Sequence, residues 1–399
     1  MKIVTFGCRI NTYESARIKE LVPDLDDVIL VNTCAVTAEA ERQCRQTIRK
    51  LKKENPDKRL FVTGCAAQFH PEVYALMPEV DRVLGNREKL DVAALRALEK
   101  EMVGPVDGVA FDIPTVTDFD GRTRAFIQVQ QGCDHRCTFC VVNRVRGKNK
   151  GLAPDVVVAE AAQLVAKGYS ELVITGIDVT SYPFGFSNLI ERVLREVPGL
   201  KRLRMGSLDP AGIDSTLIDL FGQYEQLMPH VHLSVQAGDN SILKRMGRRH
   251  TREDVLRLAE SLRQVRPDIV LGADFITGFP TETDTMFEQT VDLVQRAQIA
   301  LLHVFPFSVR PGTPSAKLPM VPVSVRKHRA KMLREKGQKI LDDYLHTQIG
   351  RTDTVLVEQN GIGFNTHYIK TRVDATTAPG TFVRVKNKEV KDGELVATA

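Results

Sequence analysis

The chain has 399 residues, 43% of them apolar and 26% charged, with a net charge of +5. This is the composition of a soluble globular protein of two or three domains, with no low-complexity tract, no long repeat and no apolar run near the roughly 18 residues of a membrane span. The N-terminus, Met1-Lys2-Ile3-Val4-Thr5-Phe6-Gly7-Cys8, lacks the zones of a signal peptide, so the cytoplasm or an equivalent reducing compartment is expected, where seven cysteines point to metal or catalysis and not to disulfides.

The first segment, residues 1–105, alternates β-branched runs with helical stretches. Strands are expected at Ile3–Phe6, Val28–Val31 and Leu60–Thr63, with helices near Tyr13–Leu21 and Thr37–Lys53 and another opened by Pro71. This β-α-β-α-β order implies a small parallel sheet. A looser linker covers Gly104–Gly121. From 119 to 345 the alternation resumes for six units, with strands starting near Ala125, Glu171, Lys201, His230, Asp268 and Ala300. Helical patterns lie between them at Pro154–Lys167, Asn188–Glu196, Ser215–Gln226, Arg252–Val265 and Thr285–Arg296. Six units fall short of an eight-fold barrel, so an open, partial (β/α)6 barrel is expected, with its chemistry at the carboxyl ends of the strands. A basic helix near Ser324–His346 precedes residues 346–399. There Asp353–Glu358, Tyr368–Val373, Thr381–Val385 and Glu389–Val390 read as a small antiparallel barrel.

The cysteines carry the chemistry. Gly132-Cys133-Asp134-His135-Arg136-Cys137-Thr138-Phe139-Cys140 has Cys-x3-Cys-x2-Cys spacing on the loop after the first barrel strand. Three thiolates ligate three irons of a four-iron cluster and leave the fourth open. An open iron can chelate the amino and carboxylate groups of S-adenosylmethionine (SAM), whose reductive cleavage yields a 5′-deoxyadenosyl radical. The alternative is zinc with a fourth ligand such as His135, although zinc sites favour paired Cys-x2-Cys units and no second unit is present. Cys8, Cys34 and Cys65 each follow a predicted strand of the first segment, beside Gly or after Asn-Thr. They should converge on one sheet edge as a second metal site. Cys44 lies mid-helix and reads as a packing thiol.

Three basic runs hint at a polyanionic partner: 141–150, 244–252 and 326–339. In the first, Arg144, Arg146, Lys148 and Lys150 flank the cysteine loop. Sequence-independent phosphate contacts are expected there and at Arg372, Arg384 and Lys386 of the last segment. Thr175, Gly176 and Asp178 end the second barrel strand, and Ser207, Asp209 and Gln236 follow or end the next two. All six are candidate SAM contacts. Gly278-Phe279-Pro280 is expected to shape the adenine pocket by close backbone approach.

With these motifs in place, the chain resembles the methylthiotransferases of the radical-SAM class along nearly its whole length. The resemblance rests on Gly7-Cys8-Arg9-Ile10-Asn11, Asn32-Thr33-Cys34-Ala35-Val36, Thr63-Gly64-Cys65-Ala66-Ala67-Gln68 and the Cys133–Cys140 signature. It implies two 4Fe-4S clusters, an auxiliary one on Cys8, Cys34 and Cys65 and a radical-SAM one on Cys133, Cys137 and Cys140. It also implies a C-terminal TRAM-like, RNA-binding module. Thr175-Gly176-Ile177-Asp178, Gly206-Ser207-Leu208-Asp209-Pro210, His230-Val231-His232-Leu233-Ser234-Val235-Gln236 and His303-Val304-Phe305-Pro306 resemble the branch acting on N6-threonylcarbamoyladenosine beside the tRNA anticodon. The implied reaction adds a methylthio group at adenine C2, consuming two SAM molecules. A flavodoxin- or ferredoxin-like one-electron reductant, a sulfur donor and the tRNA anticodon loop are the implied partners. The chain departs from the family pattern at Asn143-Arg144-Val145 and Ala237, and its last segment is short. Isopentenyl adenosine in tRNA, or an aspartate of a ribosomal protein, are alternative substrates within the family. Outside it, the chain would be a non-catalytic metal-containing RNA-binding protein.

Overall fold

A computed structural model describes residues 1–108, 115–119 and 121–399. Part of the linker expected over Gly104–Gly121 lies outside the described residues. Near the N-terminus, β1 (Lys2–Thr5), β2 (Val28–Thr33), β3 (Arg59–Gly64), β4 (Arg82–Leu84) and β5 (Glu101–Met102) form one parallel sheet in that order. The last two strands were not anticipated, being only three and two residues long. Every residue of β2 is buried, because helices cover both faces. Ile29, Val31, Leu60 and Val62 pack into one cluster and Ile18, Val28, Leu30 and Phe61 into the other, as buried parallel strands require.

The middle of the chain contains β6 (Ala125–Gln128), β7 (Gln130–Gln131), β8 (Lys150–Gly151), β9 (Glu171–Thr175), β10 (Arg202–Met205), β11 (His230–Gln236), β12 (Val270–Thr277) and β13 (Ile299–Pro306). Two parallel sheets, β10-β9-β6 and β11-β12-β13, are joined where Leu208 N–H donates to the His232 carbonyl and Ser234 N–H to the Leu208 carbonyl, both at 2.8 Å. The result is the expected open six-strand arc. Val231, Leu233, Val235, Leu271, Ala273 and Phe275 point outward into the helix-covered core. Side chains at alternating positions, among them His232, Gln236 and Asp274, therefore face the inside of the arc. Antiparallel pairing of β7 with β8 pins the two ends of the loop that carries Cys133, Cys137 and Cys140. A helix at Asn240–Met246, capped by Asp239 and closed by Gly247 at φ +75°, was hidden in the basic run 244–252.

Helix Val323–Thr347 packs along β13, and Gly337 allows the approach: a Cβ there would lie 2.4 Å from Leu302. The domain boundary drawn at 345/346 falls in the last turn of this helix. Its basic residues are only partly on the surface. Arg326 donates to the Val321 and Phe307 carbonyls at 2.6 and 3.1 Å, and Arg329 is buried against Glu282 at 2.7 Å.

The C-terminal segment forms a closed barrel in the order β14 (Thr352–Val357), β15 (Ile362–Phe364), β16 (Lys370–Arg372), β18 (Glu394–Thr398), β17 (Phe382–Lys391). Two points correct the sequence reading. Thr381–Val385 and Glu389–Val390 belong to one bulged strand, β17, and β16 pairs with β18 in parallel. A ring of five strands cannot alternate direction all the way round, so one parallel pair is unavoidable. This barrel closes the amino-terminal end of the arc: Arg202 donates to the Phe364 carbonyl at 3.1 Å and Arg204 to the Asn365 carbonyl at 2.7 Å. Tyr368 stacks on His230 (ring centroids 5.0 Å) and lies under the guanidinium groups of Arg9, Arg124 and Arg204. Among the described residues, no helix is long and apolar enough to cross a membrane.

Candidate active site

Cys8, Cys34 and Cys65 lie just past the carboxyl ends of β1, β2 and β3. Gly7 (φ +93°) and Gly64 (φ +95°) make the turns into Cys8 and Cys65. A Cβ on Gly7 would lie 2.9 Å from Cys34 Sγ, and one on Gly64 would lie 2.4 Å from the Thr33 carbonyl. Only glycine fits at these two positions. Burial pushes the Cys34 thiol up to about 12. Cys44 is fully buried in helix Ala38–Glu54, with its thiol beside the Cys34 backbone.

The second triad sits on the loop after β7. Gly132 (φ +73°) approaches so closely that a Cβ would overlap the Lys148 carbonyl. The loop is held by Cys133 N–H to the Gly147 carbonyl (3.1 Å), Thr138 N–H to the Met246 carbonyl (3.0 Å) and Ser315 N–H to the Thr138 carbonyl (3.0 Å). Burial pushes the Cys133 thiol up to about 12 and the Cys140 thiol up to about 11.

Hydrogen-bond donors converge on the sulfurs of both triads. His135 N–H donates to Cys133 Sγ and Val142 N–H to Cys140 Sγ, each at 3.4 Å. Arg248 reaches Cys137 Sγ at 3.7 Å, and Arg146 Nε–H donates to Cys65 Sγ at 3.2 Å. Donors on sulfur stabilise thiolate ligands and tune iron–sulfur clusters, so the residues present fit a cluster at each triad.

Arg146 does not belong to a phosphate-binding surface, as its place in a basic run had suggested. It is 1% exposed. Besides Cys65 it donates to both oxygens of Glu14, to Asn11 Oδ1 at 2.6 Å and to Gln131. Glu14 also holds Lys89 at 2.6 Å, and both residues of that pair are fully buried. Burial alone would push the Glu14 carboxyl up, but Arg146 and Lys89 hold it below the usual range. Arg146 ends the helix that follows Cys140, and so it ties the second cysteine loop to the first triad.

The candidate SAM residues separate by environment. Asp178 lies beside the cysteine loop, 2.8 Å from His135 Nε2 and 3.9 Å from Cys133 Sγ. Asp209 is buried among Arg248 (3.1 Å), Arg249 (3.2 Å) and His250 (3.6 Å). Although burial opposes ionisation, those groups hold its carboxyl well below the usual range. Thr175 is buried, Ser207 is exposed, and Gly176 leaves room for Gln130. Gln236 sits at φ +76°, unusual for a residue with a side chain, at the mouth end of β11. Gly278 (φ +67°) lies against Arg326. Lys148, Arg384 and Lys386 are exposed, as is Arg144, whose guanidinium caps the Gly312 carbonyl. Lys150 is half-buried, and Arg372 is paired with Glu394 at 3.0 Å.

Two family models match the sequence: the radical SAM superfamily over residues 127–294 and the uncharacterized protein family UPF0004 over residues 1–85. The threonylcarbamoyladenosine tRNA methylthiotransferase MtaB of Rickettsia prowazekii is 46% identical over 99% of this chain and 96% of its own length. The chain belongs to the radical-SAM methylthiotransferase family. Its MtaB relative from Thermotoga maritima is 34% identical, covering 93% of this chain and 90% of that protein. A tRNA-2-methylthio-N(6)-dimethylallyladenosine synthase of Rickettsia conorii is 33% identical, covering 90% and 88%. Among solved structures, the radical S-adenosylmethionine methyltransferase TsrM of Kitasatospora setae superposes with a TM-score of 0.54 at 16% identity, over 77% of this chain and 69% of that one. At that identity it supports the fold alone.

Membership makes this chain an enzyme that uses SAM and a 4Fe-4S cluster. Two groups of this methylthiotransferase had no role assigned from sequence. Arg248, read only as part of a basic run, links Cys137 to Asp209. His232, Asp274 and His303 come together on the inner face of the arc, with ligand atoms all within 4.8 Å of one another. The alternation in His230-Val231-His232 was the available signal, since period-2 spacing puts both imidazoles on the face opposite the core.

Proposed function

We propose that this enzyme adds a methylthio group to C2 of N6-threonylcarbamoyladenosine next to the anticodon of tRNA, using two SAM molecules and two 4Fe-4S clusters. The observation that carries the two-cluster reading is Arg146. The helix immediately after Cys140 places its guanidinium on Cys65 Sγ at 3.2 Å, so the two cysteine triads open side by side. Support for the substrate comes from identity: 46% to one MtaB relative, against 33% to the dimethylallyladenosine synthase.

In this reading Cys133, Cys137 and Cys140 hold the cluster that binds SAM, and Cys8, Cys34 and Cys65 hold the auxiliary cluster. When bound, SAM and its cluster supply a 5′-deoxyadenosyl radical, the kind of reagent an unactivated aromatic C–H requires. One SAM is the methyl source and the other the radical source. Asp178, beside Cys133, is placed to receive the SAM amino group. Arg248 and Arg249 neutralise Asp209 and fix the wall beside Cys137. Thr175, Gly176, Ser207 and Gln236 shape the rest of the mouth. Lys148 and Arg144 at the mouth, with Arg384 and Lys386 on the C-terminal barrel, meet tRNA phosphates. The target base must leave its stack to reach the arc, which a single-stranded loop allows. A flavodoxin- or ferredoxin-like reductant and a sulfur donor complete the reaction.

The test is mass spectrometry of tRNA nucleosides from cells lacking their own methylthiotransferases, with and without this chain. Appearance of 2-methylthio-N6-threonylcarbamoyladenosine is expected. A methylthio group only on isopentenyl adenosine would overturn the substrate. No methylthio nucleoside at all would overturn the tRNA reading and point to a ribosomal-protein aspartate. About eight irons per chain after anaerobic reconstitution is the expected content, and about four would remove the second cluster.

A further inference from the structure

We infer that His232, Asp274, His303 and Phe305 form the subsite that holds the target base and its threonyl arm. This deepens the proposed function and rests on its choice of substrate. Asp274 pairs with His303 and Ile276 with Phe305 across β12 and β13, while Phe275 and Val304 of the intervening pair are buried in the core. His303 and Phe305 therefore share the inner face of the arc with Asp274. On β11, His232 shares that face and pairs with Gly272, two residues before Asp274 on β12 and so deeper in the arc.

The polar part of the subsite is built around one carboxylate oxygen. Asp274 Oδ1 lies 3.0 Å from His232 Nε2 and 3.2 Å from His303 Nδ1, and the two rings are 4.5 Å apart. Although burial works against the charge, the two imidazoles hold Asp274 ionised, well below the usual range. Its hydrogen bonds fix both rings, and His303 keeps 63% of its side chain exposed on the open side of the arc. Gly272 permits the cluster, since a Cβ there would lie 2.5 Å from His232 Nδ1. Two residues nearer the mouth, Phe305 is 39% exposed, an aromatic face of the kind on which an unstacked base settles. Level with it, Ile276 borders the same apolar cluster, around Phe279 and Phe307, that Phe139 of the cysteine loop packs against. A base on Phe305 would thus lie between the cysteine loop and the histidine–aspartate cluster. The threonylcarbamoyl arm carries a carboxylate, a hydroxyl and amide N–H groups. With Nδ1 engaged by Asp274, His303 offers Nε2 as an acceptor on the open side of the arc, so it and the second oxygen of Asp274 can accept from the hydroxyl and amide N–H groups of the arm. An isopentenyl arm offers none of these and gives the polar groups no partner.

The experiment measures binding of one tRNA in two forms, with N6-threonylcarbamoyladenosine or plain adenosine next to the anticodon, to the reconstituted enzyme and to His303→Leu, Asp274→Asn and Phe305→Ala. The wild type is expected to prefer the modified form by about tenfold or more. His303→Leu and Asp274→Asn should abolish that preference, with iron content retained as the check on folding. Phe305→Ala should weaken both forms. A wild type that methylthiolates the modified tRNA but binds both forms equally overturns the subsite and leaves the proposed function standing. If the wild type makes no methylthio-threonylcarbamoyladenosine, the proposed function itself falls. A preference that disappears with EDTA and returns with zinc would overturn the direct contact in favour of a metal ion on the same three residues.

Discussion

Replacing Arg146 with Met separates two opposed roles for one residue. In the structure its guanidinium is the main partner of a buried carboxylate, Glu14, and also serves Asn11 and Cys65. Removing one partner of a buried ion pair costs about 3–5 kcal/mol, and leaving a buried acceptor unpaired costs about 1–3 kcal/mol. Lys89 stays at 2.6 Å from Glu14, so the carboxylate is not left bare and the lower end applies, about 3 kcal/mol. The assay is urea unfolding of the reconstituted enzyme, read on its first transition, with tRNA affinity measured against salt in parallel. Arg146→Met should shift the transition by that amount and leave the salt slope unchanged. Lys148→Ala should do the reverse, with the slope falling by about one unit per lost phosphate contact. If Arg146→Met lowers the slope by about one and moves stability by less than about 1 kcal/mol, the buried-joint account is refuted.

Glu160 should make stability fall as pH rises. Burial pushes its carboxyl from the usual value near 4.5 up to about 7. Its neutral form is therefore favoured in the folded chain, where Tyr13 and the Val116 N–H donate to one oxygen. With the folded value above the unfolded one, the contribution is complete below about pH 4.5 and is lost through pH 7. The loss amounts to about 3 kcal/mol at most between pH 5 and 8. Glu160→Gln should remove that part of the slope, and equal slopes for the two proteins would refute it. Cys44→Ala should keep the iron content of the wild type, whereas Cys34→Ala should lose about half of it; equal losses would make Cys44 a ligand. Gly64→Ala forces a Cβ against the Thr33 backbone at φ +95°. It should lose the iron of the auxiliary site while keeping that of the Cys133–Cys140 loop, as read by iron analysis and electron paramagnetic resonance.

What was legible in the sequence was what local pattern carries. The Phe6-Gly7-Cys8, Asn32-Thr33-Cys34 and Thr63-Gly64-Cys65 segments announced strand ends bearing thiols, and the structure places them just past β1, β2 and β3. Six barrel strands were found because helical stretches alternate with short apolar segments, even where, as in Arg202–Met205, the strand holds no β-branched residue. β4, β5 and β15 were missed because two or three residues carry no period, and the five-residue β18 was missed as well. Helix Asn240–Met246 was missed although Asp239 and Gly247 mark its ends, because Lys244 and Arg245 drew the reading toward a charge run. Arg146 was misread for a different reason. Nothing near it in the chain says that it is buried, since Glu14 lies 132 residues away. Arg326 and Arg329 were misread in the same way: apart from the nearby Val321 carbonyl, their partners Phe307, Glu282 and Asp284 are brought to the helix only by the fold.

These buried cations explain how three units form one site. The triad Cys8–Cys34–Cys65 and the loop Cys133–Cys140 belong to different sheets, so their separation depends on the joint between them. An apolar contact would hold the two surfaces together without fixing their register. A guanidinium with five named acceptors fixes both distance and rotation. On the other side of the first triad, Arg9, next to Cys8, donates to Tyr368 Oη at 3.2 Å and to the Met205 carbonyl at 3.5 Å. Tyr368 in turn stacks on His230 of β11 and Phe364 of β15. The first triad is therefore clamped from one side by a residue of the second cysteine loop and from the other by the C-terminal barrel. Loosening either clamp should change the spacing of the two cysteine sites before it unfolds any single sheet.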